Sequence, residues 1–91
     1  MRNEPDEEIA KQIFRLLNLR SADASICPSE VARAMYPAEA EWRAAMPKIR
    51  EVAGILASRG MLRVTQRGKD IDATAAGGPI RLSAPESLEG Q

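Results

Sequence analysis

EVAGILASRGMLRVTQRGKDID, residues 51–72, decides the fold of this chain. In its first half Val52, Ala53 and Leu56 continue a stripe begun by Trp42, Met46 and Ile49, at the three- and four-residue spacing of one helix face. Gly60 then supplies the residue type that closes a helix in the left-handed conformation. Beyond it Met61-Leu62-Arg63-Val64-Thr65-Gln66 alternates apolar and polar residues and includes β-branched ones, which predicts a strand. Arg67-Gly68-Lys69-Asp70 is a glycine-containing turn of hairpin length, and Ile71, Ala73 and, at its far end, Ala75 carry the return strand. A helix is thus followed at once by a basic hairpin.

Upstream of this stretch, Asn3 is placed to cap a first helix whose opening turn is acidic. Ile9, Ile13, Leu16 and Leu17 give that helix one apolar face to about residue 19. A polar loop over residues 20–25 leads to a short extended segment at Ser25-Ile26-Cys27. Pro28 opens a second helix, where its missing N–H and fixed φ cost nothing, and Glu30 falls at the third helical position. Val31, Ala34 and Met35 supply its buried side, and Tyr36-Pro37 ends it. The third helix begins near residues 38–41. Pro47 interrupts it, predicting either a kink or a split into 40–45 and 47–59. At 100° steps Arg43, Arg50, Glu51, Gly54 and Ser58 lie opposite the core stripe, with Lys48 and Arg59 at its flank. Downstream of the hairpin, residues 74–78 are small, Ile80-Arg81-Leu82 restores alternation, and residues 83–91 form a polar tail. The order is that of an α+β winged helix-turn-helix, a three-helix core with a C-terminal β-hairpin wing, over residues 1–82. Such domains mostly bind nucleic acid, although many bind proteins instead.

Composition bounds the function. Ninety-one residues at 44% hydrophobic content suffice for one small core, which at this size buries roughly 60–65% of the unfolded surface. No apolar run approaches the ~18 residues of a membrane span, and the N-terminus lacks the apolar stretch of a signal peptide, so a cytoplasmic location is expected. The single Cys27 and the absence of histidine leave no intramolecular disulfide and no ordinary Cys/His metal site. No cofactor is implied. Without GxSxG or GxxxxGK[ST], and with Asp70 and Asp72 beside Arg67 and Lys69, an enzyme is not expected either. The two carboxylates flank Ile71 on one strand face and read as surface ion-pair partners. Cys27 at a helix start has N–H groups nearby that favour an anion, but no second cysteine stands ready to resolve an oxidised sulfur. Trp42 shares its register with Met46, Ile49 and Leu56 and is assigned to the core.

The segments SICPSEVARAM (25–35), WRAAMPKIREVAGILASRGML (42–62), VTQRGKDID (64–72) and GPIRL (78–82) carry a more specific signal. Together they resemble a bacterial family of small proteins catalogued as a domain of unknown function, for which the resemblance implies a winged-helix fold. It covers nearly the whole chain. It implies no catalytic or binding residues, so function is argued from charge.

The formal charge is zero, yet residues 1–41 carry a net −3 and residues 42–81 a net +5. The positive charge therefore gathers on the third helix and the hairpin, where a winged helix meets phosphate. Arg43, Lys48 and Arg50 on the helix and Arg63, Arg67 and Lys69 on the hairpin are the candidate nucleic-acid contacts. Arg43 or Arg50 would reach base edges or phosphate, and Arg67 and Lys69 flanking phosphates or the minor groove. No Asn or Gln on the outward face is placed to read adenine, so low sequence specificity on double-stranded DNA is expected. The alternative is a protein-interaction module or homodimer presenting the hairpin edge or an exposed helix face.

Overall fold

A computed structural model of the chain describes residues 4–20, 24–74 and 77–85. These form α1 (Glu4–Asn18), β1 (Ser25–Ile26), α2 (Pro28–Met35), α3 (Glu39–Ser58), β2 (Arg63–Gln66), β3 (Lys69–Asp70) and β4 (Arg81–Ser83). The arrangement is α+β and compatible with a winged helix. The expected Asn3 cap, the end of the return strand at Ala75 and most of the C-terminal tail lie outside the described residues.

The four strands form one antiparallel sheet in the order β1-β4-β2-β3. Register puts Ile26 beside Leu82 and Leu82 beside Val64, and the Ile71 N–H continues the row by donating to the Val64 carbonyl. Ile26, Leu82 and Val64 are all buried. Because side chains alternate across a strand, this single row is the inner face of the sheet, and Ser25, Ser83, Arg63, Thr65 and Arg81 fall on the outer one. The helices cover the inner face with Ile9 and Ile13 from α1, Val31 from α2, and Ile49, Val52 and Leu56 from α3. Each such aliphatic side chain contributes about 1.5–3 kcal/mol on burial. Among the described residues no charged side chain is buried.

Two helix ends behave as their residues dictate. Cys27 is the N-cap of α2 with extended backbone, Pro28 is the first helical residue, and the Glu30 carboxylate accepts the Cys27 N–H at 3.2 Å. At the end of α3, Gly60 adopts φ +75°, the Gly60 N–H donates to Ala57 O and the Met61 N–H to Leu56 O. That pair of bonds is a Schellman motif, and it turns the chain straight into β2.

Three expectations are narrowed or corrected. α3 is one helix from Glu39 to Ser58 with Pro47 inside it, so of the two alternatives at this proline the split falls away. Pro47 is exposed, and its cost of about 3 kcal/mol is offset by the apolar side chains that the same helix buries on both sides of it. The return strand comes earlier than predicted: it is Lys69–Asp70, within the four residues read as the turn, and it ends before Ile71. The Asp72 carboxylate accepts both the Thr74 N–H at 2.9 Å and the Thr74 hydroxyl at 2.7 Å. This side-chain turn bends the backbone away from the sheet and drops Ala73 into the core. The last strand is Arg81–Ser83, one residue later than read from the sequence, with Ile80 buried just before it.

Candidate nucleic-acid interface

The hairpin turns on Arg67 and Gly68, with φ +55° and +82°. Positive φ at both central residues of a two-residue loop is the type I′ arrangement, whose twist matches the flanking strands and which Asn-Gly fills most readily. An arginine there costs about 1 kcal/mol relative to an untwisted site. Arg67, Gly68 and Lys69 are exposed, and neither Arg67 nor Lys69 makes an ion pair among the described residues. The tip therefore carries two solvated positive charges on a short, two-stranded projection.

The other four candidate residues are differently placed. Arg63 reaches diagonally across the hairpin to Asp70 at 2.7 Å, on the outer face of the sheet. Arg43 pairs with Glu39 one turn earlier at 2.6 Å. Lys48 lies 3.3 Å from Glu51 and 3.6 Å from Asp6 of α1. The hydrogen bond that Lys48 donates to the Glu51 carboxylate and the negative charges of Asp6 and Glu51 hold the Lys48 pKa above its ordinary range. Arg50 is turned to the backbone, donating to the Ala73 carbonyl at 3.3 Å and to the Gly78 carbonyl. Gln66 ties the same connector from the other side, donating to Gly77 O at 2.7 Å and Pro79 O at 3.1 Å. Arg50 and Gln66 thus fix the path from the hairpin to β4.

The basic residues of the second half of the chain do not form one patch. They occupy the α2–α3 side, the α1 side of α3 at Lys48, the connector, the outer sheet face and the hairpin tip, and Arg81 on the outer face donates to the Ser25 hydroxyl and carbonyl, each at 2.8 Å. The exposed strip of α3 is Ala40, Ala44, Pro47, Glu51, Ile55 and Ser58. It is rotated from the expected face because the connector lies against Arg50 and Gly54. That strip carries no Arg, Lys, Asn or Gln, the residues that make bidentate contacts to guanine or adenine.

A further cluster joins α2 to α3. Trp42 is half-buried and packs on the core, as its register predicts, while the guanidinium carbons of Arg33 and Arg43 sit 5.3 and 4.8 Å from its ring centre. Arg33 holds its place through the Ser29 carbonyl and hydroxyl. The sequence carried no signal for Arg33, since only the crossing of the two helices brings it to Trp42. Nearby, burial would raise the Glu30 carboxyl, but hydrogen bonds from Arg20 and the Cys27 N–H, with the Arg20 charge, outweigh it and hold Glu30 below the ordinary carboxylate range. Cys27 is half-buried with its Sγ 2.9 Å from Ser29 Oγ.

Asp70 and Asp72 do not act as a pair, because Asp70 serves Arg63 and Asp72 serves Thr74. Among the described residues no three Cys, Asp or Glu side chains gather as a metal would require, and no helix is long and apolar enough to cross a membrane.

No curated protein matches the chain. Residues 6–85, from the first turn of α1 through the whole hairpin and β4, match the family described as a protein of unknown function, DUF3253. A match over that span makes the chain a member of the DUF3253 family.

Proposed function

We propose that this protein is a nucleic-acid-binding winged helix that grips the backbone of duplex DNA through its wing and reads little sequence. It is a binding module and performs no catalysis. The observation that carries this reading is Arg67 at φ +55° beside Gly68 and Lys69. A position that Asn or Gly would fill at lower cost holds a guanidinium instead, and the strain is matched by a solvated charge at the tip. Arg67 and Lys69 meet flanking phosphates. The exposed ion pairs of Arg43, Lys48 and Arg63 are each worth only about 0–1 kcal/mol and exchange for phosphate at small cost.

Fluorescence anisotropy on a random-sequence duplex, titrated with salt, tests the reading. Two phosphate contacts give a log–log slope of about −2, and five give about −4.5. Duplexes of different sequence bind equally, and R67E with K69E abolishes the interaction at low salt. No salt-dependent binding to any duplex at low ionic strength sinks the proposal. The second reading, a protein-interaction module, is favoured by the neutral and acidic strip of α3.

A further inference from the structure

Along the exposed strip of α3 runs a cleft of about 500 Å³, closed on its far side by residues 71–74. Its floor is Gly54, Ala57 and Ala73, and its apolar walls are Ile55 and Ile71. Ile55 is 39% exposed, one of three large apolar side chains so placed among the described residues. The cleft is open along its length, and a second one of about 360 Å³, lined by Met46, Pro47 and Arg50, meets it at Thr74. From Pro47 to Ser58 the helix rises about 16 Å, the length of roughly five residues of extended chain. The wall opposite α3 is fixed in place by the Arg50 bonds to Ala73 and Gly78 and by the Asp72–Thr74 turn. A groove of this length with a rigid wall fits a peptide better than an enclosed small molecule.

Charge names the occupant. Residues 42–81 hold eight basic side chains and only three acidic ones, and two of those three, Glu51 and Asp72, line this cleft. No basic residue lines it between Glu51 and Ser58; Arg50 of the adjoining cleft is turned to the Ala73 and Gly78 carbonyls, and Lys48 reaches Glu51 from outside the cleft. Phosphate is repelled from such a surface, whereas a cationic chain is drawn to it. We propose that the α3 cleft docks a short segment of a partner protein in which an aliphatic or aromatic side chain, buried between Ile55 and Ile71, adjoins a Lys or Arg that meets Glu51 and Asp72. The wing stays clear of this contact, so the inference goes beyond the nucleic-acid reading and does not rest on it.

A phage-displayed random peptide library selected against the full chain tests it, with the enriched peptides synthesised and measured by anisotropy and by amide shifts in NMR. Enrichment of an apolar residue next to Lys or Arg is expected, with the largest shifts in residues 51–58 and 71–74. Glu51→Lys weakens those peptides at least tenfold and leaves duplex binding unchanged or stronger, while R67E with K69E leaves peptide affinity unchanged. Gly54→Ala supplies a variant that keeps the fold, since its Cβ would meet Ala73 Cβ and Thr74 Cγ2 at an ordinary 3.8 Å. It narrows the floor and weakens the peptides while thermal stability holds or rises. Peptides that are acidic, that shift other residues, or that ignore Glu51→Lys overturn the proposal. So does a concentration-dependent dimer in sedimentation that Gly54→Ala disrupts, which assigns the cleft to a second copy.

Discussion

The basic residues of α3 and those at the hairpin tip carry the same charge, and the fold around them uses it in opposite ways. On α3 each cation has a job within the molecule: Arg43 on Glu39, Lys48 between Asp6 and Glu51, Arg50 on two backbone carbonyls. At the tip Arg67 and Lys69 are held out in solvent on a backbone conformation that costs energy. A positive segment in a sequence is therefore two different things in the structure, scaffold and display. Net charge per segment cannot separate them, because a charge committed to a carbonyl 28 residues away counts the same as one facing water.

The sharpest way to break this comparison is at Arg50. Arg50→Met keeps the aliphatic stem but leaves the Ala73 and Gly78 carbonyls without their charged donor. Hydrogen bonds from an ionised group each contribute about 1.5–3 kcal/mol when sheltered, and with part of this site exposed the expected loss is about 2 kcal/mol. For a domain of this size that lowers Tm by roughly 8–16 °C. R67E with K69E should leave Tm within about 2 °C, since surface charges without partners rarely move stability. If calorimetry finds Arg50→Met silent and the tip variant destabilised, the division into scaffold and display is wrong.

What the sequence discloses follows the range of the interaction. Pro28, Glu30 and Gly60 act within one turn of themselves, so the start of α2 and the end of α3 were legible from the residues alone. A hairpin turn within residues 67–70 and the family resemblance, now a membership, were legible for the same local reason, although only Arg67 and Gly68 form the loop. The return strand was placed too late because the Asp72 side chain competes with the ladder for the backbone after Asp70, and residues 71–75 look like a strand until that turn is seen. Pro47 reads as a break because the cost is local and the compensation is not. Arg50, Gln66 and Arg81 were the least legible, since their partners lie 23, 11 and 56 residues away. A polar residue committed over such distances is indistinguishable in sequence from one left for a ligand.

A smaller effect separates the two regions by pH. Glu30 belongs to the scaffold, with its carboxylate held by Arg20 and the Cys27 N–H and its ionisation favoured by folding. A carboxyl that ionises more readily folded than unfolded adds stability that is complete above its ordinary value, near 4.5, and is lost as pH falls through the lower folded value. Glu30→Gln should therefore cost about 1 kcal/mol at neutral pH and nothing in acid. Urea unfolding from pH 7 to pH 3 should show the two proteins converging below the ordinary carboxyl range. A constant gap across that range would mean that size and shape, not charge, hold the start of α2.

The smallest expected change has the opposite sign and bears most directly on the tip. Arg67→Asn puts into a φ of +55° the residue type that tolerates it, and beside Gly68 it completes the Asn-Gly pair that two-residue hairpins favour. Stability should rise by about 0.5–1 kcal/mol. Duplex affinity should fall in the same protein, with the salt slope shallower by about 0.9 because one phosphate contact is lost. A gain in stability coupled to a loss in binding is what a strained functional residue predicts and what a merely tolerated surface arginine does not. Were Arg67→Asn to stabilise the hairpin with no effect on any duplex, the arginine would be incidental to nucleic acid, and the weight of function would pass to the α3 cleft.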